Sequence, residues 1–393
     1  MQALESLNLT FGVDVKAFEQ FTRDDDAVDS LRGLEPKIRF FEAAVRKDPR
    51  NPYVRQHYSR MLRREKRFDL ALGQINEALE MSPRARILHH TKGMVLKDLA
   101  MDAPIEDMGR RRLTQAEQAF TVAINMAPKD DYGYSSLADL YLEWARKCNA
   151  SEEAVAYVAK AQEVVFRGLA VVRQRESLYL IMSDIESFLR NTPARIEALR
   201  KALREAPASP IARYLLGMVL DRLGDPAAVD ILREGVRLHP EHSRMSAACA
   251  LAIYRNGGSL AECVAILRLA RNTGLDDSQF VAVFGGMLTL NGDLTDAADV
   301  WTRARQAPFR VGERDRIGFT PQRPTGELDW LDGRLVAVTG GYGFARVAGY
   351  ADVFCSRQKL ANKALQRDDR VQLQVAFTVR GPVAVNLRKK GDA

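Results

Sequence analysis

Residues 51–85 read NPYVRQHYSRMLRREKRFDLALGQINEALEMSPRA. Apolar residues recur at helical spacing, and Leu70, Ile75, Ala78 and Leu79 fall on one face of the second of two helices. Pro83 ends that helix, because proline has no amide hydrogen to give and its ring clashes with the preceding turn. The closing phrase returns as AEQAFTVAINMAP ending at Pro128, IEALRKALREAP ending at Pro207 and AVDILREGVRLHP ending at Pro240. Pro207 and Pro240 lie 33 residues apart. Pro83 and Pro128 lie 45 apart, which places an insertion of about eleven residues, relative to a 34-residue unit, near Met101 to Arg112.

Small residues recur in register with these prolines. Gly93, Ala138, Gly217 and Gly285 take a first position, where two helices of a hairpin meet. Ala71, Ala116, Ala228 and Ala297 take a second, and Ala78, Ala123, Ala202 and Ala304 a third, with Gly235 in the fifth hairpin. The pattern resembles tetratricopeptide repeats, which need close backbone approach at such places. It is well kept in 51–85 and 280–306 and poorly kept in 145–172, which is longer. GLEPKIRFFEAAVRKDP, ending at Pro49, reads as the second helix of a still earlier unit, for about seven hairpins in all. The resemblance implies a solenoid with a groove lined by first helices, fit to hold a protein or peptide. Arg55, Gln56, Lys92, Tyr134, Arg213 and Asn291 are the candidate groove residues.

Charge divides the chain unevenly. Residues 309–393 hold 15 Lys and Arg against 9 Asp and Glu, whereas the first 308 hold 43 against 42. A nearly neutral body therefore carries a basic tail, which points to an anionic partner. The hydrophobic fraction of 46% and charged fraction of 28% exclude wholesale disorder. No apolar run is long enough for a membrane helix. The first residues have neither a basic segment nor an apolar core of a secretory signal. Cys148, Cys249, Cys263 and Cys355 are scattered and form no CxxC, which fits a reducing, cytoplasmic setting without disulfides or zinc.

After Gln306 the pattern changes. Pro308, Gly312, Gly318, Pro321, Pro324 and Gly326 mark a linker. Residues 334–338, 342–347, 352–356, 371–379 and 383–388 then alternate with the period of strands. The expected organisation is a helical array over 1–307, a linker over 308–326 and a small five-stranded barrel over 327–393. Five short strands in so few residues suit a closed barrel of the oligonucleotide-binding kind.

The barrel segment resembles a cold-shock domain. Gly333 opens the first strand, GGYGFAR occupies 340–346, DVFCS 352–356 and RGPVAVN 380–386. The resemblance implies that Tyr342, Phe344 and Phe354 present rings for single-strand bases to stack on, while Arg346, Arg357, Lys359 and Arg380 meet phosphates. Arg380, Gly381, Pro382 and Asn386 match the closing turn and last strand. The chain departs from the family at Val336 and Ala337, where lysine and tryptophan are usual, and at Ser356 and Arg357, where histidine and phenylalanine are usual. Each lost ring removes roughly 1–3 kcal/mol of stacking; the Arg357 guanidinium can recover part of it by stacking on a base and meeting a phosphate.

Catalytic signatures are missing from the sequence. There is no phosphate-binding GxxxxGK[ST] loop and no GxSxG elbow. His239 and His242 flank a Pro-Glu bend after a helix and read as exposed helix-end histidines, and His89 and His90, adjacent on a helix, do not face one ligand. No cofactor or metal is expected. The chain reads as mainly α, a tetratricopeptide-like solenoid followed by a small barrel, and as a non-catalytic adaptor between a protein and single-stranded RNA or DNA. Two alternatives stay open: a recognition part of a multidomain NTPase or NAD-consuming system, which the incomplete first hairpin favours, and a protein-only scaffold with a degenerate barrel.

Overall fold

The computed structural model describes residues 34–148, 152–307, 309, 311–322, 326–361 and 365–390. It divides into two compact units, Met1–Glu205 and Ala206–Ala393.

The first unit holds α1 (Leu34–Lys47) and four antiparallel hairpins: α2 (Pro52–Arg64) with α3 (Phe68–Met81), α4 (Arg86–Asp102) with α5 (Arg110–Met126), α6 (Asp131–Lys147) with α7 (Glu152–Val171), and α8 (Glu176–Phe188) with α9 (Thr192–Glu205). Local chemistry starts the helices. Asn51 accepts from the Tyr53 amide at 3.0 Å and Pro52 opens α2; Asp130 accepts from the Tyr132 amide at 2.9 Å ahead of α6. The small residues lie at the helix contacts: Ala71, Ala78, Ala116, Ala138 and Ala202 are fully buried, and a Cβ on Gly93 would come within 2.5 Å of the Phe120 ring. Leu70 differs from expectation. It is 50% exposed, because the buried stripe of α3 runs through Ala71, Ile75 and Ala78 instead.

The extra residues between Pro83 and Pro128 lengthen α4 and α5 to 17 residues each and add a π-helical turn at Ile105–Gly109. Lys147 closes this region. Its ammonium donates to the Ala100 and Met101 carbonyls at 2.8 Å and to that of Ala103, satisfying the orphan carbonyls that end α4. Between α4 and α6, buried Lys97 is clamped by Asp139 and by Glu143 at 3.1 Å. Burial opposes its charge, but the two carboxylates outweigh that and hold its pKa above the ordinary value.

His90 lies nearby on α4, with its Nε2 2.9 Å from Ser136 Oγ and its ring against Phe120 and Tyr132. Burial, followed by the charges of Arg86, Arg63 and Arg60, pushes its pKa down to about 4. The unfolded chain therefore takes up this proton near pH 6.5 and the folded chain only near pH 4. His90 thus removes stability as pH falls through that window, on the order of 2–3 kcal/mol in total. Urea unfolding of wild type and His90→Gln at pH 7.5 and pH 4.5 should show the larger acid loss in wild type; equal losses would contradict a neutral buried His90.

The second unit holds three more hairpins, α10 (Pro210–Arg222) with α11 (Ala227–Leu238), α12 (Ser243–Arg255) with α13 (Leu260–Leu269) and α14 (Ser278–Leu290) with α15 (Leu294–Ala304). With the first unit this gives seven complete hairpins among the described residues. Ion pairs join successive hairpins at the repeat distance: Arg244–Asp277 at 2.9 Å and Arg255–Asp221 span 33 and 34 residues, as Arg63–Asp98 at 3.2 Å spans 35 in the first unit. A Cβ on Gly217 would meet Leu232 at 2.5 Å, and one on Gly285 would meet Trp301 at 2.5 Å. Gly217→Leu should overpack the first contact and cost ~1–3 kcal/mol. A thermal melt of the full-length variant at the wild-type temperature would refute this helix register.

A short helix, α16 (Val311–Arg314), leads to the barrel: β1 (Leu331–Val338), β2 (Tyr342–Val347), β3 (Val353–Ser356), α17 (Arg357–Ala361), β4 (Arg370–Thr378) and β5 (Gly381–Lys389). The strands close in the order β1-β2-β3-β5-β4, antiparallel except for β3 beside β5. The inward residues Leu335, Ala345, Val353, Cys355, Val371, Leu373 and Phe377 are fully buried. Bulges at Leu335/Ala337 and Gln374/Val375 bend two strands so that the sheet can close.

The barrel and the last hairpins share one hydrophobic core, which runs from Leu232 to Leu387. Phe377 is its hub. Its ring is near-parallel to those of Phe319, Tyr350 and Trp301, with centroids at 5.7, 6.2 and 6.3 Å. Phe319 lies in the stretch that reads as a linker, yet it is 3% exposed. Its backbone pairs with that of Phe377, and a Cβ on Gly286 of α14 would strike its ring. The β4–β5 turn also packs here: a Cβ on Gly381 would lie 3.6 Å from the Trp301 ring, an ordinary contact, and it is the φ of +117° that favours glycine. Phe377→Ala should cost about 3–5 kcal/mol and loosen barrel and hairpin together. Separate melting of the two, or no loss of stability in a calorimetric scan, would show that they are not one core.

Candidate nucleic-acid interface

Alternation along β2 and β3 decides which side chains reach solvent. Gly343, Ala345 and Val347 point inward, so Tyr342, Phe344 and Arg346 point outward; Val353 and Cys355 point inward, so Phe354 and Ser356 point outward. Burial pushes the Cys355 thiol up to about 11 and makes it an inert core group. The strand register sets Phe344 beside Phe354 and Tyr342 beside Ser356. The three rings meet. Tyr342 lies 5.8 Å from Phe344 and 6.0 Å from Phe354, and Phe344 lies 5.8 Å from Phe354. Tyr342 is 45% and Phe354 38% exposed, so the cluster is open on its outer side. Gly343 gives the strands room: a Cβ there would come within 2.6 Å of the Ala337 carbonyl oxygen. Ala337 pairs with Phe344 and places only a methyl group beside the cluster on that strand.

The cations read from the sequence fall into three situations. Arg357 and Lys359 follow Ser356 on α17 and have no ion-pair partner among the described residues. Arg346 is exposed and pairs with Asp352 at 3.2 Å, which holds its pKa above the ordinary value. Arg380 pairs with Asp315 at 2.9 Å in the β4–β5 turn, beside the helical hairpin.

One aromatic does not stand out in the sequence. Trp330, 39% exposed, lies under the guanidinium of Arg388 at 4.1 Å. Its signal is the period of two: Trp330, Asp332 and Arg334 share a face. Around it Gln372 donates to Asp332 at 3.0 Å, Arg388 to Gln372 at 3.0 Å and Asn386 to Gln374 at 2.7 Å.

Most of the helical candidates are engaged within the chain. Gln56 is buried and donates to Thr91 Oγ1 at 2.9 Å; Tyr134 is 5% exposed, packed against Gly168, and donates to the Pro128 carbonyl at 3.3 Å. Arg55 is paired with Glu77 at 2.7 Å, and Arg213 donates to the Pro207 carbonyl at 2.5 Å. Asn291 caps the end of α14 and donates to Asp293 at 3.0 Å. First helices use these polar groups to join neighbouring turns and hairpins. Lys92, the sixth candidate, is half-buried on α4. In the second unit a cavity of about 480 Å³ opens beside the first helices, lined by Tyr214, Arg244, Asp277, Gln279, Arg316 and Gly318 among others. Among the described residues no group of three His, Cys, Asp or Glu is placed to hold a metal ion, and no helix is long and apolar enough to cross a membrane.

No protein-family model and no curated protein matches the chain. Solved structures with a similar course of chain include a thermophilic TPR protein of Thermus thermophilus, at 17% identity over 51% of this chain and 98% of that one, with a TM-score of 0.42. A tetratricopeptide repeat protein from Parabacteroides merdae aligns at 12% identity over 78% of this chain and all (100%) of that one, with a TM-score of 0.42. YrrB, described as a TPR protein with an unusual peptide-binding site, aligns at 21% identity over 48% of this chain and 91% of its own, with a TM-score of 0.33. The helical part is tetratricopeptide-like in its hairpins and in the spacing of its small residues.

Proposed function

We propose that this chain is a non-catalytic adaptor whose barrel binds single-stranded nucleic acid through Tyr342, Phe344 and Phe354, while its helical hairpins hold a protein partner. The observation that carries this reading is the cluster of three outward rings within 6.0 Å of one another on β2 and β3. A barrel with strands in the order 1-2-3-5-4 and a binding face on strands 2 and 3 has the arrangement of oligonucleotide-binding folds. Every base offers a π-face, so three rings accept any sequence. Arg357 and Lys359, adjoining the cluster and without carboxylate partners among the described residues, supply charge for phosphates. For the protein partner, the polar cavity beside Tyr214 and Arg244 offers an open surface of the second unit, whereas Phe319 and Phe377 cover part of α14 at Gly286.

Fluorescence anisotropy with a labelled oligonucleotide tests the reading. Binding should be micromolar, weaken as salt rises and show little base preference. Phe354→Ala should weaken it by ~1–3 kcal/mol while the melting temperature stays close to that of wild type, because the ring is largely outside the core. Absence of salt-sensitive binding to RNA and to single-stranded DNA, with the fold intact, rejects the nucleic-acid role and leaves a protein scaffold.

A further inference from the structure

The outer face of the barrel carries a feature that folding does not explain. In the strand register Arg334 of β1 is the direct partner of Arg346 on β2 and of Arg370 on β4. All three side chains are exposed, so three arginines stand in a row across three adjacent strands. Neighbouring strands are about 4.8 Å apart, so the row is about 10 Å long. Like charges directly opposite one another in a sheet are destabilising. Carboxylates compensate only in part. Arg346 meets Asp352 at 3.2 Å and Arg334 meets Asp368 at 3.1 Å, both in exposed pairs of the kind that contribute little. Arg370 has no ion-pair partner among the described residues. The remaining acids nearby are engaged elsewhere: Asp332 with Lys390 at 2.7 Å and Asp369 with Lys389 at 3.3 Å.

We propose that this row is the track for the phosphodiester backbone of a single strand beyond the bases stacked on Tyr342, Phe344 and Phe354. The proposal rests on the nucleic-acid reading of that cluster. Continuity supports it: Arg346 is on the same face of β2 as Phe344, two residues and about 7 Å further along. The row then turns the path across β1 and onto β4. Arginine suits the task, because its planar fork meets phosphate oxygens two at a time. Asp352 and Asp368 hold Arg346 and Arg334 extended until phosphates replace them.

The test uses the full chain and fluorescein-labelled oligothymidylates of about four and about ten nucleotides, within the range of site sizes for such barrels. Wild type should bind the longer strand more tightly. Arg334→Gln/Arg370→Gln should bind the shorter strand as wild type does and lose the advantage of length. Its log–log salt slope for the longer strand should be shallower by about 1.4, at about 0.7 per lost phosphate contact. Arg334→Lys/Arg370→Lys should keep the wild-type slope. Arg370→Gln alone breaks no described ion pair and carries the same test, with a change of about 0.7. Binding that depends on Phe354 but has unchanged length dependence and slope in the Gln variants overturns the track and leaves the stacking cluster standing. No binding of either oligonucleotide to wild type overturns both.

Discussion

The stack of Phe319, Phe377, Tyr350 and Trp301 is the contact on which the second unit depends. It joins three kinds of structure at one point: a connecting segment, a barrel with its loop, and a helical hairpin. Gly286 and Gly318 make the approach possible, since a Cβ on either would strike a neighbour on the other side of the contact. One core therefore runs from α11 through the barrel, and the barrel cannot reorient without exposing four aromatic rings. The aromatic face of β2 and β3 is consequently held at a fixed angle to the last hairpins.

The same contact alters what the helices can do. In a repeat array the first helices supply the surface on which a ligand could lie. Here α14 is covered in part, at Gly286, by Phe319 and Phe377. Polar groups on other first helices are drawn into joining hairpins, as Gln56 to Thr91, Lys97 to Asp139 and Glu143, and Arg244 to Asp277. These pairs fix the register of successive repeats. They also leave fewer side chains for a partner than composition suggests.

Much of the architecture is legible in the sequence because it follows from local rules. Prolines at repeat spacing end helices wherever they occur, and glycine or alanine is needed wherever two backbones approach. The strands are legible for the same reason. The outward placing of Tyr342, Phe344 and Phe354 follows from a period of two once Gly343, Ala345 and Cys355 are read as inward. Leu70 misleads because an apolar residue at helical spacing can lie one position off the buried stripe. Trp330 escapes notice because it precedes the first strand and its partner Arg388 is far along the chain.

The sequence by itself determined the hairpin repeat, the five strands and the outward side of the three rings, since each depends on residues close in the chain. Only the tertiary structure decided that Phe319, within the stretch that reads as a linker, is a core residue, that Gln56 and Tyr134 are internal, and that Arg380 is bound to Asp315. It also decided that Arg334, Arg346 and Arg370 form one row. These facts depend on which strand lies beside which and on which helix meets the barrel. Pairings of that kind are set by the closure of the sheet and by the shape of a shared core, neither of which a local pattern of residues encodes.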